Sequence, residues 1–580
     1  METRARRRER WLIAAVAATV ILAFLFGAIQ RFLVCDDAFI SFRYARHLAQ
    51  GEGLVWNPGE RVEGYTNFLW VLVLAAGISV GARPELLAPA LGIVCGAAVV
   101  VLVARLGARD HGWRDPLIWL APAALALHHS FLAWSSGGLE TQFFSLLVLA
   151  GFSACVAERR RREARPWRAP GLFALATLTR PDGILFAAVA GSAWLIDCVR
   201  RRRGAQPEVV RPAAVWAAVY AAPVLAHVLW RRVYYGDWLP NTFYAKVTGF
   251  QWEEGFRYLS LFGTVYQLHF LLVLAVLAVA VRRGFREAMF CAVIVVDLLY
   301  LCAIGGDFLE FRLLVPILPY LYWLMADGVR VIQEWATRSR MRWTVLAAPA
   351  AAVALLVATA VSPLATAVSR SIEPPSYLES VDVARRYAVL RSSQGRYLAG
   401  LVDRGLLPAD LRIATGGIGV LSYTTDWYVI DHHGLTDRWV ARAPVAGSRI
   451  GHQRRVTLGY IKQRRVDAVG LTKVMAVPGS DSLPIVLQVA RRWLESYNRG
   501  VEDPDLLLRL SCVEIEPGIY LFFGTNLDPE EERRLVGRFP PCPVKAPPQP
   551  GPTPPAAAGS PGPRSDPDGT PPPSAAGPRR

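Results

Sequence analysis

The sequence predicts a membrane protein: an all-α membrane domain of about eleven helices, then an extracytoplasmic α+β domain and a proline-rich tail. Three observations predict it. Of 580 residues, 53% are hydrophobic and 19% charged, against roughly 25% charged in an average soluble domain. Mean hydropathy is +0.28, and apolar stretches of membrane-crossing length recur between Trp11 and Val361. The formal charge of +17 is gathered in arginine runs between those stretches, at Arg4–Arg10, Arg159–Arg168, Arg200–Arg203 and Arg338–Arg342. That is the pattern of cytoplasmic loops under the positive-inside rule. A soluble cytosolic enzyme is excluded, and the basic charge implies a lipid bilayer rather than nucleic acid.

The elements follow in order. Trp11–Val34 has a basic N-terminal flank and no small-residue cleavage site, so it is a retained span that starts in the cytoplasm. Asp36 and Asp37 then emerge outside. Phe68–Val80 is too short to cross; if it crossed, the Arg159–Arg168 cluster would face outward, so the stretch is expected to lie along the interface or dip back. Further spans are expected over 86–106, 116–134, 140–157, 210–230, 266–281, 287–305, 313–332 and 343–362. Between Arg168 and Arg200 the chain enters and returns as a helical pair broken at Thr179-Arg180-Pro181-Asp182-Gly183. Broken helices at membrane depth line cavities rather than face lipid.

The expected domains are 1–363 in the membrane, a cap at 376–540 outside it, and a tail at 541–580. In the cap, Tyr377–Leu390 reads as helix and Tyr428-Val429-Ile430 as strand. Fifteen of the last forty residues are proline, a composition that cannot bury a core. The eight cysteines contain no CxxC pair; only Cys512 and Cys542 share the outer region and could be bonded there. The expected location is the inner membrane of a bacterium, with many passes, a cytoplasmic N-terminus and an extracytoplasmic C-terminal domain.

Chemistry concentrates in Asp36–Trp70. On a helix over 36–49, Asp36, Ile40, Arg43 and His47 share one face, and Asp37, Ser41, Tyr44 and Leu48 the next. Adjacent carboxylates repel, which raises the proton affinity of one and suits it to act as a base; the plain alternative is a helix cap. A second outer loop, Tyr234 to Lys246, sets Tyr244 and Lys246 beside other aromatics, either to hold a sugar and a phosphate or as an interfacial aromatic belt. A third places Asp307 and Arg312 at a span entrance. Glu140 reads as a helix-start residue. Arg180, at depth, needs a partner, for which Asp182 is available. The polar loops gather on the outer face, while the inner loops carry little but arginine.

The segments DDAFISFRYARHL, VWNPGERVEGYTNFLW, YYGDWLPNTFYAK and GGDF…R together resemble GT-C membrane glycosyltransferases that use polyprenyl-phosphate sugars. Within that fold they are similar to the terminal β-(1→2)-arabinofuranosyltransferases of mycobacteria and other bacteria. The resemblance covers about residues 11–330 and extends loosely to the cap. It implies an inverting transfer of a sugar, arabinofuranose among the candidates, from a polyprenyl-phosphate donor to an envelope glycan or lipid. Asp36 and Asp37 form its catalytic pair, the motif not saying which is the base. Charge and expected side add Arg43, His47, Tyr244, Lys246, Asp307 and Arg312 as donor-phosphate or substrate contacts. No cofactor is required; a divalent cation beside the acidic pair is compatible, but no ligand spacing demands one. Asp431, His432, His433 and His452 tempt a metal reading but suit turn residues better. Thr415–Val420 is glycine-rich like a nucleotide loop but lacks the full fingerprint. The rival functions are a transporter or flippase of a lipid-linked precursor, suggested by the broken helices, and a non-catalytic scaffold.

Overall fold

In the computed structural model the described residues are 2–161, 166–202, 210–338, 347–360, 378–447, 451–476, 483–499, 501–516, 519–528 and 530–531. The expected domain boundary at 363–376 and the tail at 541–580, with Cys542, lie outside them. Among the described residues seven helices are long and apolar enough to cross a membrane: Arg6–Gln30, Pro84–His111, Thr141–Arg161, Gly183–Arg200, Arg211–Tyr235, Phe285–Ile304 and Arg312–Arg338. Phe68–Ser79, Pro116–Leu127 and Leu271–Arg282 are shorter apolar helices. The chain is a multi-pass membrane protein.

Two expected spans come out differently. The stretch 116–134 is broken into a 3-10 turn (Pro116–Trp119), a helix to Leu127 and a short helix His129–Ala133. His128 is extended (φ −71, ψ 118), and its side chain accepts from the Phe131 N–H, which starts a new helix where the old one ends. The stretch 266–281 is preceded by an unexpected helix, Trp252–Val265, and begins only after Gln267 takes a left-handed turn (φ 56). Trp252 and Phe256 of that helix are exposed while Tyr258 and Phe262 are buried.

The C-terminal part begins with the helix Val381–Asp403, matching the expected helical run. Its sheet comprises β1 (Arg412–Thr415), β2 (Tyr428–Asp431), β3 (Ala468–Ala476), β4 (Arg509–Glu516) and β5 (Ile519–Thr525), in the order β2-β1-β3-β5-β4. β1 runs parallel to both β2 and β3, while β5 is antiparallel to β3 and β4. One apolar core runs without a break from the membrane helices into this part, reaching Val381, Leu398, Ile413, Trp427 and Leu521.

The helix Asp36–Ala49 joins the two parts. Its first turn carries Asp36 and Asp37 and its last Arg46 and His47, each charge complementing the nearer end of the helix dipole. Alongside it lies the short helix Gly419–Thr425. Gly419 is required there: a Cβ on it would meet the backbone oxygen of Asp36 at 1.8 Å.

Candidate active site

The two aspartates have separate fates. Asp36 is buried, and its carboxylate accepts the N–H groups of Gly419 (3.1 Å) and Val420 (2.9 Å), capping the helix Gly419–Thr425 from 383 residues away. Burial pushes its carboxyl above the usual range, against the pull of those N–H groups. The glycine-rich stretch after β1 thus does form a strand–loop–helix corner, and the anion at its helix N-terminus is the protein's own carboxylate. Arg43 serves the other end. It is fully buried, and it donates to the carbonyls of Ser422 (2.6 Å), Trp427 (2.9 Å) and Trp56 (2.9 Å). His47 is also buried, with Nδ1 2.9 Å from the Val55 carbonyl and Nε2 3.7 Å from Asp426. One face of the helix therefore docks the C-terminal part, and Arg43 and His47 do not line the cavity described next.

The neighbouring face behaves differently. Its Asp37 and Ser41, together with Ile40 of the first face, line a cavity of about 350 Å³ between the membrane helices and the C-terminal part. Lys246, Asp307, Arg312, Glu140, Arg180 and Asp182 line it too. Asp37 is half-buried and, among the described residues, its carboxylate has no hydrogen-bond or ion-pair partner. Arg312 lies within electrostatic reach of it and is held by Asp307 at 2.9 Å. Glu140, just before the helix Thr141–Arg161, accepts from Asn67 (2.8 Å) and Arg180 (3.4 Å), and Arg180 pairs with Asp182 at 2.8 Å. Arg180 has the partner expected for it and a second one. Lys246 has no carboxylate partner among the described residues. Tyr244, two residues earlier, turns its ring under the Arg442 guanidinium (4.0 Å) instead of lining the cavity.

Of the residues named from sequence, the cavity brings together Asp37, Lys246, Asp307 and Arg312, while Asp36, Arg43, His47 and Tyr244 lie elsewhere. The sequence reading did not assign Glu140, Asp182 or Asn67 to the site. The broken pair around Arg180 was the signal that could have found the first two.

Glu310 repeats the Asp36 arrangement, its carboxylate accepting the Val381 N–H (2.8 Å) at the start of the helix Val381–Asp403. Asp431 ends β2 and is buried, as is His432, rather than lying exposed on the surface; its carboxylate accepts from the N–H groups of His433 (3.0 Å) and Leu435 (2.6 Å). Among the described residues no group of three or more His, Cys, Asp or Glu could hold a metal ion.

Helices broken around an acidic first loop, with an appended C-terminal part, define a class. ArnT from Cupriavidus metallidurans, solved bound to undecaprenyl phosphate, aligns with a TM-score of 0.53 at 13% identity, over 89% of this chain and 99% of that one. The fold is that of the GT-C membrane glycosyltransferases. Sequence relatives narrow the likeness. The terminal β-(1→2)-arabinofuranosyltransferase of Mycobacterium tuberculosis is 31% identical over 288 residues, 47% of this chain and 43% of that protein. Its counterpart in Corynebacterium glutamicum is 27% identical over 370 residues, 56% of this chain and 52% of that protein. The chain thus spans about half the length of the curated relatives it matches. Residues 386–509 match a family model described as a domain of unknown function (DUF8728).

Proposed function

We propose that this protein is an inverting glycosyltransferase that moves a sugar, arabinofuranose by likeness to its relatives, from a polyprenyl-phosphate donor to an envelope glycan or lipid outside the cytoplasm. The observation that carries the proposal is a single cavity lined by Asp37, Lys246 and Arg312, in which the Asp37 carboxylate and the Lys246 ammonium have no ion-pair partner among the described residues.

In this scheme Asp37 takes the proton of the acceptor hydroxyl, whose oxygen attacks the anomeric carbon. The bond from that carbon to the donor phosphate breaks, and its electron pair leaves on polyprenyl phosphate. Lys246 and Arg312 balance the charge that develops on the phosphate, as cations placed beside a leaving group do. Asp307 positions Arg312. Asp36 is set aside as the base because it is buried outside the cavity lining, each of its carboxylate oxygens accepting a backbone N–H from the helix Gly419–Thr425. The membrane domain 1–363 then supplies donor and base, and the cap 376–540, outside a bacterial inner membrane, closes the site. The ArnT complex supports a lipid phosphate as donor.

The test is transfer of radiolabelled arabinofuranose from a polyprenyl-phosphate donor to an arabinofuranose oligosaccharide by purified protein. Loss of a general base costs about 10²–10⁴-fold, and Asp37→Asn should show a loss of that size with folding unchanged. Undiminished transfer in Asp37→Asn would remove it from the mechanism. No transfer by wild type would move weight to transport of a lipid-linked precursor.

A further inference from the structure

Behind the wall of the cavity lies a second concavity of about 750 Å³, formed where the first loop (Glu60, Arg61, Val62) meets residues 437–464 of the C-terminal part. Its centre is Trp439. The indole is 45% exposed, yet it is not a loose surface side chain. One face lies on the buried Tyr460 ring, with centroids 4.3 Å apart and planes within 5°. The Tyr460 hydroxyl donates to Asp437 (2.9 Å), and the other oxygen of Asp437 accepts the N–H of Trp439 itself (2.9 Å). Backbone and ring of Trp439 are thus both fixed through one carboxylate, leaving a flat, immobile aromatic face toward the groove.

The rim around that face is polar and planar. Arg442 is held by Asp237 (3.0 Å), and Arg464 donates to the Tyr460 hydroxyl (2.9 Å) and pairs with Glu60. Arg61 rests over the Tyr234 ring (4.6 Å) with no carboxylate partner among the described residues, and Gln463 is exposed beside it. An open aromatic plane ringed by guanidinium, amide and carboxylate groups matches a sugar ring, which offers an apolar face of C–H bonds and an edge of hydroxyls.

The groove and the cavity share a thin wall. Asn241 ties it together by donating to the carbonyls of Gly434 (2.8 Å), Leu435 (3.0 Å) and Asp437 (3.2 Å). Leu435 faces the cavity and Asp437 the groove. In the first loop, Gly64 faces the cavity and Val62 the groove.

We infer that the Trp439 groove is a subsite for an extended glycan, holding inner sugars of the acceptor chain while its end enters the Asp37 cavity. The inference rests on the glycosyltransferase reading and adds that the acceptor is a polymer recognised at a distance from the reacting hydroxyl.

The experiment measures binding alone, in the full-length Asp37→Asn protein in detergent, with an arabinofuranose disaccharide and octasaccharide as probes. The octasaccharide should bind about tenfold or more tighter than the disaccharide, the size of effect expected of one anchoring aromatic. Trp439→Ala should abolish that length preference. Trp439→Phe, which keeps a flat face, should retain most of it, which separates loss of the platform from loss of the fold. Equal affinity for the two lengths, a preference untouched by Trp439→Ala, or no octasaccharide binding would each overturn the inference. So would Trp439-dependent binding to anionic lipid vesicles in place of glycan. Transfer surviving in Asp37→Asn would remove the base yet leave this result intact, since no turnover enters it.

Discussion

At the scale of single residues, the adjacent aspartates are chemically alike and structurally opposite. Asp36 is an acceptor for two backbone N–H groups; Asp37, one position on and about 100° around the helix, lines a cavity and meets no donor among the described residues. Substitution should separate them by kind of damage. Asp36→Ala removes a helix cap and orphans two buried donors, so thermal or denaturant unfolding should show a loss of about 1–3 kcal/mol, with transfer falling only as far as folded protein is lost. Asp37→Asn should leave the unfolding midpoint in place and remove transfer. The reverse pattern would exchange their roles. Lys246→Gln should raise the apparent KM for the lipid-phosphate donor about tenfold without lowering stability, since the ammonium has no partner among the described residues to lose; an unchanged KM would take Lys246 out of the site. The pairing of faces on this helix was legible, because i, i+4 spacing needs only the local chain. Which face carries the chemistry was not. That depends on the helix Gly419–Thr425, whose N-terminus claims Asp36 and whose far end claims Arg43, and no local pattern announces a partner 383 residues away.

At the scale of elements, the loops are built as braces. Glu63 is buried and takes a two-pronged pair from Arg231 (2.5 and 3.1 Å), while its carbonyl accepts the N–H of Asn241 (3.0 Å). The loop around Gly64, the helix Val210–Tyr235 and the short helix Asn241–Lys246, which ends in Lys246, are thereby held as one unit. Burial pushes the Glu63 carboxyl up to about 7 despite the guanidinium. A carboxyl raised in the folded state binds more protons there than in the unfolded chain between its two pKa values. Its contribution therefore falls as pH rises from about 4.5 to about 7 and is constant above that. Melting temperature followed across this window should decline less in Glu63→Gln than in wild type; parallel curves would show that Glu63 does not titrate there. The membrane elements were readable wherever an apolar run was long and uninterrupted, as in Pro84–His111 and Phe285–Ile304. They were misread where one residue decides the path. His128 breaks a stretch whose composition is that of a span, and the left-handed Gln267 separates the apolar helix Leu268–Arg282 from the amphipathic helix Trp252–Val265, which was not expected.

At the scale of the whole molecule, the question is whether the C-terminal part is an independent domain tethered to the membrane or one side of a single body. Composition favours the first view, since the apolar spans stop near Val361 and mixed sequence follows. The packing favours the second. Asp36 and Glu310, both from loops of the membrane part, supply the caps of two helices in the C-terminal part. Arg43 satisfies carbonyls at the far end of one of them, and the apolar core passes between the parts without a gap. Elements that satisfy each other's buried polar groups cannot separate without leaving those groups unpaired, at about 1–3 kcal/mol each, so the two parts should unfold together. Calorimetry in detergent should show one transition over residues 1–541, and two well-separated transitions would show independent domains. Gly419→Ala sharpens the test, because its new methyl would have to occupy the space of the Asp36 backbone oxygen, 1.8 Å away. The clash pries apart the helix Asp36–Ala49 and its neighbour at the point that orients Asp37. This variant should lose about 2–4 kcal/mol and lose transfer with it, although Gly419 touches no substrate. A stable, fully active Gly419→Ala would mean that the parts dock loosely and that the cavity is set by the membrane helices alone.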